Sequence, residues 1–362
     1  MMCWHHYQWR FPLKIFLSLV FTSFTLASAM AAPDLMRPWT GVSDPLIMSS
    51  TFNRIFASLP LKAVVADKQK FWSSDYWPLN KGNINYRWNS ARPRGFNLNS
   101  PNREQAAHMS RQELAALAPS EKYDLFIGRY DYPLRNRIYK NTSPNIASWM
   151  GICHGWAPAA LNHHEPKPID VVNPDGLTIP FGSSDVKALL SYYYAYDNRV
   201  QSTHQMGRRC NEKSDNCQED LNAGAFHIVL ANKVGLEGTS FIADMEKTKE
   251  VWNHPIYSYS SNVVSITNAR RSSARGIVKI IRLRTILDYV FEIKKNSWGP
   301  VIGTPLQYLK RRTYDYSLDI GSQGEILGGT WISSDRPDFL WLVGRTQKFD
   351  GMLSRIGELL RD

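Results

Sequence analysis

The sequence predicts an α+β protein in which helices gather around one cysteine and an antiparallel sheet follows. Three observations support this order. Helix-start signals lie before about residue 195, alternating segments rich in Tyr and Val dominate from residue 226 onward, and no internal repeat interrupts the chain. With 362 residues, of which 43% are hydrophobic, the chain can bury a substantial core.

The N terminus predicts a signal peptide over residues 1–29. Arg10 and Lys14 precede the apolar run 15–26, and residues 27–29 read Ala-Ser-Ala, which satisfies the A-x-A cleavage rule. The run is too short to span a membrane, and no later segment reaches the ~20 apolar residues that a transmembrane helix needs. We therefore expect a secreted or periplasmic protein with no transmembrane span; an uncleaved anchor is the alternative.

Residues 30–100 are rich in Pro, Asn and Trp and predict an irregular segment that wraps the core. We place the main domain at residues 101–362. Within it, Ser110 and Glu113 form a capping box that opens a short helix, and a second helix starts at Ser120.

Beyond the cysteine segment, residues 169–181 predict a β-ribbon with a turn at 173–176. Ser183 is then the predicted cap of a helix that runs through Tyr194. The chain therefore places helices on both sides of the cysteine in sequence.

The formal charge is +11, and it falls only to +9 when Arg10 and Lys14 leave with the signal peptide. A basic protein outside the cytoplasm favours acidic partners such as cell-wall or cell-surface polymers. We expect no nucleic-acid partner, because the Lys and Arg residues are spread along the chain without a nucleic-acid-binding motif.

Cysteine usage isolates one thiol. Cys3 lies in the signal peptide, and Cys210 and Cys217 flank a polar loop and are natural disulfide partners in an oxidising compartment. Metal binding by this pair is the weaker alternative, because no C-x-x-C or nearby His pair accompanies it. Cys153 is then left unpaired, which favours a reactive thiol.

Cys153 lies in the sequence WMGICHGW at residues 149–156 and opens a run of small apolar residues typical of a buried helix. At a helix N terminus the macrodipole lowers a cysteine pKa from about 8.5, and the backbone N–H of Cys153 can donate to an oxyanion. The alternative is a small buried hydrophobe. Pro158 indicates that this helix starts late or bends.

His227 is the predicted base. Two apolar segments, 226–232 and 239–244, predict a hairpin in which Asp244 faces His227 and orients its imidazole. A satisfied core histidine is the alternative reading, and Asn253 is the rival orienting residue.

Two further features are weaker evidence for a catalytic role. His154 adjoins the thiol, but consecutive side chains on a helix diverge, so it is badly aimed at Cys153. Residues 296–299 spell the Asn-Ser-Trp-Gly signature of papain-like proteases, but they lie far downstream of His227 rather than shortly after it. We treat this match as chance.

Several segments, in chain order, form a pattern: WMGICHGWA at 149–157, SDVKALL at 184–190, GAFH at 224–227, VWNHPI at 251–256, GGTW at 328–331 and RPDFLW at 336–341. Together they resemble the transglutaminase elicitor family. The resemblance covers most of the chain that follows the signal peptide.

The resemblance implies a papain-like cysteine fold, protein-glutamine γ-glutamyltransferase activity and Cys153 as the nucleophile. A protein glutamine would form a thioester on Cys153, His227 would protonate the departing ammonia, and a lysine amine would accept the acyl group. The expected partners are proteins that bear Gln and Lys. The chain departs from the family's V-W-N-Q-P-V elicitor segment at His254, so recognition by plants is not implied.

Two alternative functions stay open: a papain-like cysteine peptidase, amidase or deamidase that uses water as acceptor, and a secreted wall-binding protein without turnover. Trp149, Trp156 and Trp252 are candidate walls of a dry acyl tunnel, with core packing as the alternative. The sequence assigns no cofactor. A divalent cation, calcium or manganese, stays open as an alternative without a defined motif, because Asp170, Asp175 and Asp185 are scattered and no EF-hand spacing is present.

Overall fold

The computed structural model describes Trp39 and residues 41–197, 203–209, 221–248, 250–270, 273, 276–293, 295–344 and 348–360. The predicted signal peptide and the predicted Cys210–Cys217 disulfide lie outside these residues. No helix in the described part of the chain is long and apolar enough to cross a membrane.

The chain combines helices with an antiparallel sheet, which confirms the α+β prediction. The helices are α1 (Arg103–His108), α2 (Arg111–Ala115), α3 (Pro119–Phe126), α4 (Pro133–Tyr139), α5 (Cys153–Asn162), α6 (Ser183–Tyr192) and α7 (Ala223–Leu230). The strands are β1 (Lys62–Val64), β2 (Ile169–Val172), β3 (Thr178–Phe181), β4 (Thr203–Met206), β5 (Ile242–Asp244), β6 (Asn253–Asn268), β7 (Lys279–Val290), β8 (Leu309–Ile320), β9 (Ile326–Trp331) and β10 (Leu340–Val343).

Among the described residues, eight strands form one sheet in the order β4-β10-β5-β6-β7-β8-β9, with β1 also paired to β6. Every pairing is antiparallel. The short strand β5 and the long strand β6 meet in a register that pairs Asp244 with Asn253. This pairing places two polar residues side by side at the start of β6.

Local sequence chemistry explains the helices that precede the sheet. Ser110 accepts from the backbone N–H of Glu113, whose carboxylate accepts in return from the backbone of Ser110, so the capping box that opens α2 is confirmed. The predicted ribbon is also confirmed as β2 and β3, with Asn173 accepting from the backbone of Asp175 in the turn.

The cysteine helix packs closely against α6. A Cβ at Gly155 would lie only 2.0 Å from the carbonyl oxygen of Ser191, so glycine is required for this approach. Pro158 lies inside α5, yet the helix does not start late, because it begins at Cys153. Because proline has no N–H, the helix gives up one internal hydrogen bond at this turn.

A buried ion pair anchors α6 to α3. The Lys122 ammonium lies 2.7 Å from the Asp185 carboxylate, and both side chains are fully buried. The Trp88 indole also donates to Asp185 at 2.9 Å. These bonds satisfy charges that would otherwise be costly to bury, so they fix the helix against which α5 rests.

The predicted hairpin that contains His227 is wrong. Residues 223–230 form helix α7, and only residues 242–244 of the second segment form a strand. Asn222 caps α7 by accepting from the backbone N–H groups of Gly224 and Ala225. A Cβ at Gly224 would lie 2.3 Å from the carbonyl oxygen of Gly328, so the small residues here allow close helix–sheet packing.

Candidate active site

Cys153 is the first residue of α5, as the sequence predicts. The preceding backbone is held in place because the N–H of Ile152 donates to the carbonyl oxygen of Tyr76 at 2.7 Å. A Cβ at Gly151 would lie 2.3 Å from that same oxygen, so only glycine fits before the helix. The thiol side chain is almost enclosed, with the residue 7% exposed.

The start of β6 supplies the neighbours of the sulfur. The Cys153 thiol donates to the carbonyl oxygen of Val251 at 3.5 Å, and the side-chain amide of Asn253 donates to the sulfur at 3.6 Å. The Trp341 indole donates to Oδ1 of Asn253 at 2.8 Å, which fixes the amide with its nitrogen toward the sulfur. Asn253, the rival residue of the sequence analysis, therefore contacts the thiol directly.

The sulfur is a thiol rather than a thiolate at neutral pH, contrary to the expected effect of a helix N terminus. Burial raises the pKa of Cys153 to about 11, while hydrogen bonds from Asn253 act in the opposite direction. A nucleophile with this pKa needs a nearby group that removes its proton.

Asp244 lies on the same side of the sheet as Asn253. Directly opposed residues of an antiparallel pair have Cβ atoms about 4.5–5.5 Å apart, and the Asp244–Asn253 register therefore brings the carboxyl close to the sulfur. Its Oδ1 accepts from the backbone of Trp252 at 3.1 Å, whereas its buried Oδ2 has no hydrogen-bond partner among the described residues. Burial, and then the charge of Asp338, raises the pKa of Asp244 to about 8.

His227 lies in a different part of the molecule. Its Nδ1 is 2.8 Å from the Tyr316 hydroxyl, and its buried Nε2 has no partner among the described residues. Tyr316 pairs with Leu283, which pairs with Val263 on β6.

The ring nitrogens of His227 bond to neither Cys153 nor Asp244. Its neighbour Phe226 packs on Tyr314 with ring centroids 6.2 Å apart, and the Tyr314 hydroxyl donates to the carbonyl oxygen of Met245, next to Asp244. The alternative reading, a core histidine satisfied by a neighbour, describes the hydrogen bond that is present.

A second histidine, His254, lies beside the thiol cluster and was missed as a candidate. Its Nε2 is 3.1 Å from Oε1 of Glu292, and its Nδ1 is 3.1 Å from the carbonyl oxygen of Trp252. The ring stacks on Phe291 with centroids 5.0 Å apart. The sequence offered one signal for it, its position next to Asn253, but Glu292 is distant in sequence and carried no signal.

A cavity of about 390 Å³ opens beside this cluster. Its lining includes the aromatic pair Tyr76 and Trp252, whose rings meet edge to face with centroids 5.5 Å apart. Cys153 does not line the cavity; it lies behind this pair, since Gly151 packs on Tyr76 and Val251 adjoins Trp252.

The sequence model of the family "Transglutaminase elicitor" matches residues 135–354. The chain belongs to the transglutaminase elicitor family. The matched region includes Cys153, Asp244, Asn253 and Trp341.

The fold is similar to that in the crystal structure of the GP42 transglutaminase from Phytophthora sojae. The two chains share 21% sequence identity with a TM-score of 0.67, and the similarity covers 89% of this chain and 98% of the other. A comparison with curated protein sequences finds no match. The family match and the structural similarity therefore establish the family and the fold of this chain.

The three tryptophans predicted as candidate walls of an acyl tunnel lie in three different environments. Trp252 lines the cavity. Trp156 is fully buried and packs edge to face with His254, with centroids 6.1 Å apart, as a core residue does. Trp149 is partly exposed on the turn before α5.

The three scattered carboxylates of the sequence analysis each have a basic partner. Asp170 pairs with Arg111, Asp175 with Arg103, and Asp185 with Lys122. Within the described residues, no group of three or more His, Cys, Asp or Glu side chains could hold a metal ion. These three carboxylates are therefore used in ion pairs.

Proposed function

We propose that this chain is a protein-glutamine γ-glutamyltransferase that forms a thioester on Cys153. One observation supports the proposal most strongly. The Cys153 thiol at the N terminus of α5 accepts a hydrogen bond from the Asn253 amide, which Trp341 orients, and the unpartnered Oδ2 of Asp244 lies nearby. Membership of the transglutaminase elicitor family supports the same chemistry. A papain-like arrangement of the core is part of this proposal.

In the first half of the reaction, ionised Asp244 accepts the proton of Cys153 and the sulfur attacks the carbon of a glutamine γ-carboxamide. The new C–S bond replaces the C–N bond, and the same proton leaves with the amide nitrogen as ammonia. We assign the oxyanion donors to the backbone N–H of Cys153, the first residue of α5, and to the Asn253 amide, which lies 3.6 Å from the sulfur. Asp244 thus takes the role that the sequence analysis gave to His227.

In the second half, a lysine amine attacks the thioester carbon, the sulfur leaves, and a proton returns to it through Asp244. Water in place of the amine would give glutamate, so the balance between cross-linking and deamidation depends on solvent access. Tyr76 and Trp252, between the cavity and the thiol, support exclusion of water from the thioester.

The proposed partners are proteins that bear Gln and Lys. The formal charge of +11 supports contact with acidic wall or cell-surface polymers. Secretion, with cleavage of residues 1–29, is proposed on the sequence of that segment alone.

The decisive experiment incubates the purified protein with a glutamine-bearing protein and a labelled primary amine. The wild type should incorporate the amine and release ammonia, and Cys153→Ala should lower both by about 1,000-fold or more, as expected for loss of a nucleophile. Backbone cleavage without incorporation would instead support a peptidase, and ammonia release without incorporation a deamidase.

The high pKa of Cys153 favours one further alternative, a binding protein without turnover. That alternative predicts that wild type and Cys153→Ala give the same background in every one of these assays. Such a result, obtained with folded protein, would overturn the proposed function.

A further inference from the structure

We propose that the cavity beside Tyr76 and Trp252 binds the cationic side chain of the acyl acceptor, with Glu292 as the carboxylate that selects a protonated amine over a neutral group. This inference rests on the proposed function and gives the acceptor a place in it. The cavity volume of about 390 Å³ is sufficient for a lysine side chain and part of its backbone.

The charges that line the cavity favour a cation in its interior. Three carboxylates, Asp75, Glu246 and Glu292, line it together with two lysines, Lys81 and Lys310. Glu292 is only 7% exposed, whereas Lys81 is exposed and Lys310 partly exposed. Glu292 therefore lies deeper than either lysine, where the lower effective dielectric strengthens its attraction to an ammonium group.

Glu292 is held in place for this role. Its Oε1 is 3.1 Å from Nε2 of His254, and Nδ1 of His254 is 3.1 Å from the backbone carbonyl oxygen of Trp252. The imidazole is clamped between Trp156 and Phe291. Since the bond to His254 uses one carboxylate oxygen, the second acceptor oxygen of Glu292 can receive a ligand.

A neighbouring carboxylate adds to the negative charge. Asp75 accepts from the backbone of Trp77 at 3.1 Å and from the Asn296 amide at 3.2 Å. Burial raises the pKa of Asp75, and the charge of Glu292 contributes in the same direction. A cation bound nearby would favour the ionised form of Asp75.

The aromatic lining is suited to an ammonium group and its alkyl chain. Tyr289 and Phe291 line the cavity with ring centroids 6.2 Å apart. The ammonium of Lys310 lies 3.3 Å from the centroid of Phe291. The lining thus already holds one ammonium over an aromatic face.

The position of the cavity fits an acceptor that approaches the thioester. Trp252 lines the cavity and lies between Val251 and Asn253, the two residues that contact the sulfur. The bound ammonium first gives one proton to Glu292, and the neutral amine then moves past Trp252 and Tyr76 to the thioester, where its second proton passes through Asp244 to the departing sulfur. The donor glutamine would then occupy a different face of Cys153, so the two substrates need not exchange in one pocket.

The test measures binding and needs no turnover. Nα-acetyl-lysine methylamide and its uncharged counterpart Nα-acetyl-norleucine methylamide are titrated into the purified wild-type protein by calorimetry at low salt. We expect the lysine compound to bind about 10-fold more tightly or better, the effect of one desolvated charge contact. Equal affinity for the two compounds in the wild type would overturn the inference without any variant.

The variant Glu292→Gln should remove this preference for the charged compound. The matched control is Asp288→Asn, which removes a carboxylate of β7 that is paired with Arg311 and does not line the cavity; it should keep the preference. A folded Glu292→Gln protein that keeps the preference would also overturn the inference. Tighter binding of the lysine compound without amine incorporation would contradict the proposed function alone. Amine incorporation without a preference for the lysine compound over the norleucine compound would contradict this inference alone.

Discussion

The two ends of the large sheet enclose buried polar groups in contrasting ways. At the start of β6, Cys153, Asn253 and Asp244 form a cluster with one unpartnered carboxylate oxygen and a cavity beside it. Near β8 and β9, His227 is enclosed by the rings of Phe56 and Tyr316. Each arrangement leaves one buried atom without a hydrogen-bond partner among the described residues, Oδ2 of Asp244 and Nε2 of His227. The first lies beside the thiol and the cavity, whereas the second belongs to a ring packed among aromatic side chains.

This contrast explains why residue type alone favoured His227 as the base, whereas the proposed function assigns that role to Asp244. A histidine is the usual partner of a nucleophilic cysteine, but burial lowers the pKa of His227 to about 4, so its neutral ring suits the core. Burial raises the pKa of the Asp244 carboxyl to about 8, into the range where a general base works at neutral pH. The environment of each group, rather than its identity, separates the two roles.

The largest expected effect, after loss of the thiol itself, comes from Asp244→Asn. Loss of the proton acceptor should lower the rate of amine incorporation by about 10²–10⁴-fold, with the protein still folded. Because Asp244 must be ionised to accept a proton, the wild-type rate should rise with pH through about 8. Initial rates between pH 6 and about 9 measure both effects.

The charge of Asp338 offers a way to sharpen this prediction. It contributes to the raised pKa of Asp244, after burial, so Asp338→Asn should shift the rise in rate to lower pH. A pH profile of Asp244→Asn with the wild-type shape would show that another group carries the proton.

An effect of intermediate size is expected on the free energy of unfolding. The contributions of Asp244 and His227 to it should depend on pH in opposite directions. The pKa of Asp244 is raised from 3.8 to about 8, so the stability that it contributes is complete below pH 4 and is lost as pH rises through 8. The pKa of His227 is lowered from 6.5 to about 4, so its contribution is complete above pH 6.5 and is lost as pH falls through 4.

Urea unfolding of the wild type, Asp244→Asn and His227→Leu from pH 4 to 8 would measure these contributions. Asp244→Asn should flatten the loss toward pH 8, and His227→Leu the loss toward pH 4. If His227→Leu instead changed the alkaline side, the assignment of the two groups to their environments would be wrong.

The smallest expected effect is that of His227→Leu on the rate. Because the ring nitrogens of His227 bond to neither Cys153 nor Asp244, amine incorporation per folded molecule should change by less than about two-fold. A fall of 100-fold or more would restore His227 as the base and would contradict the separation of the two ends.

Much of the helical half could be predicted because its signals are local. The capping box of Ser110 and the turn at Asn173 each depend on bonds within a few residues. The prediction for residues 223–230 was wrong because an apolar run carries no clear period, and its length suits a strand as well as a helix. Asn222, a helix cap followed by small residues, was the signal for α7 that could have been used.

The candidate site could be predicted only in part. Cys153 stood out through its helix start and its lack of a disulfide partner, and Asp244 and Asn253 were both named. Their relation was hidden, since it depends on the pairing of β5 with β6. Glu292 and Trp341 reach the site from other strands and other parts of the sequence, where no spacing rule applies.

The missing Cβ at Gly155 has a consequence for how the chain can change over time. Because backbone contact with Ser191 leaves no room there, two main chains set the depth of the helix that begins with Cys153. We therefore expect that exchange of cavity residues such as Glu246 or Tyr289, in nature or by design, alters the cavity without displacing that helix.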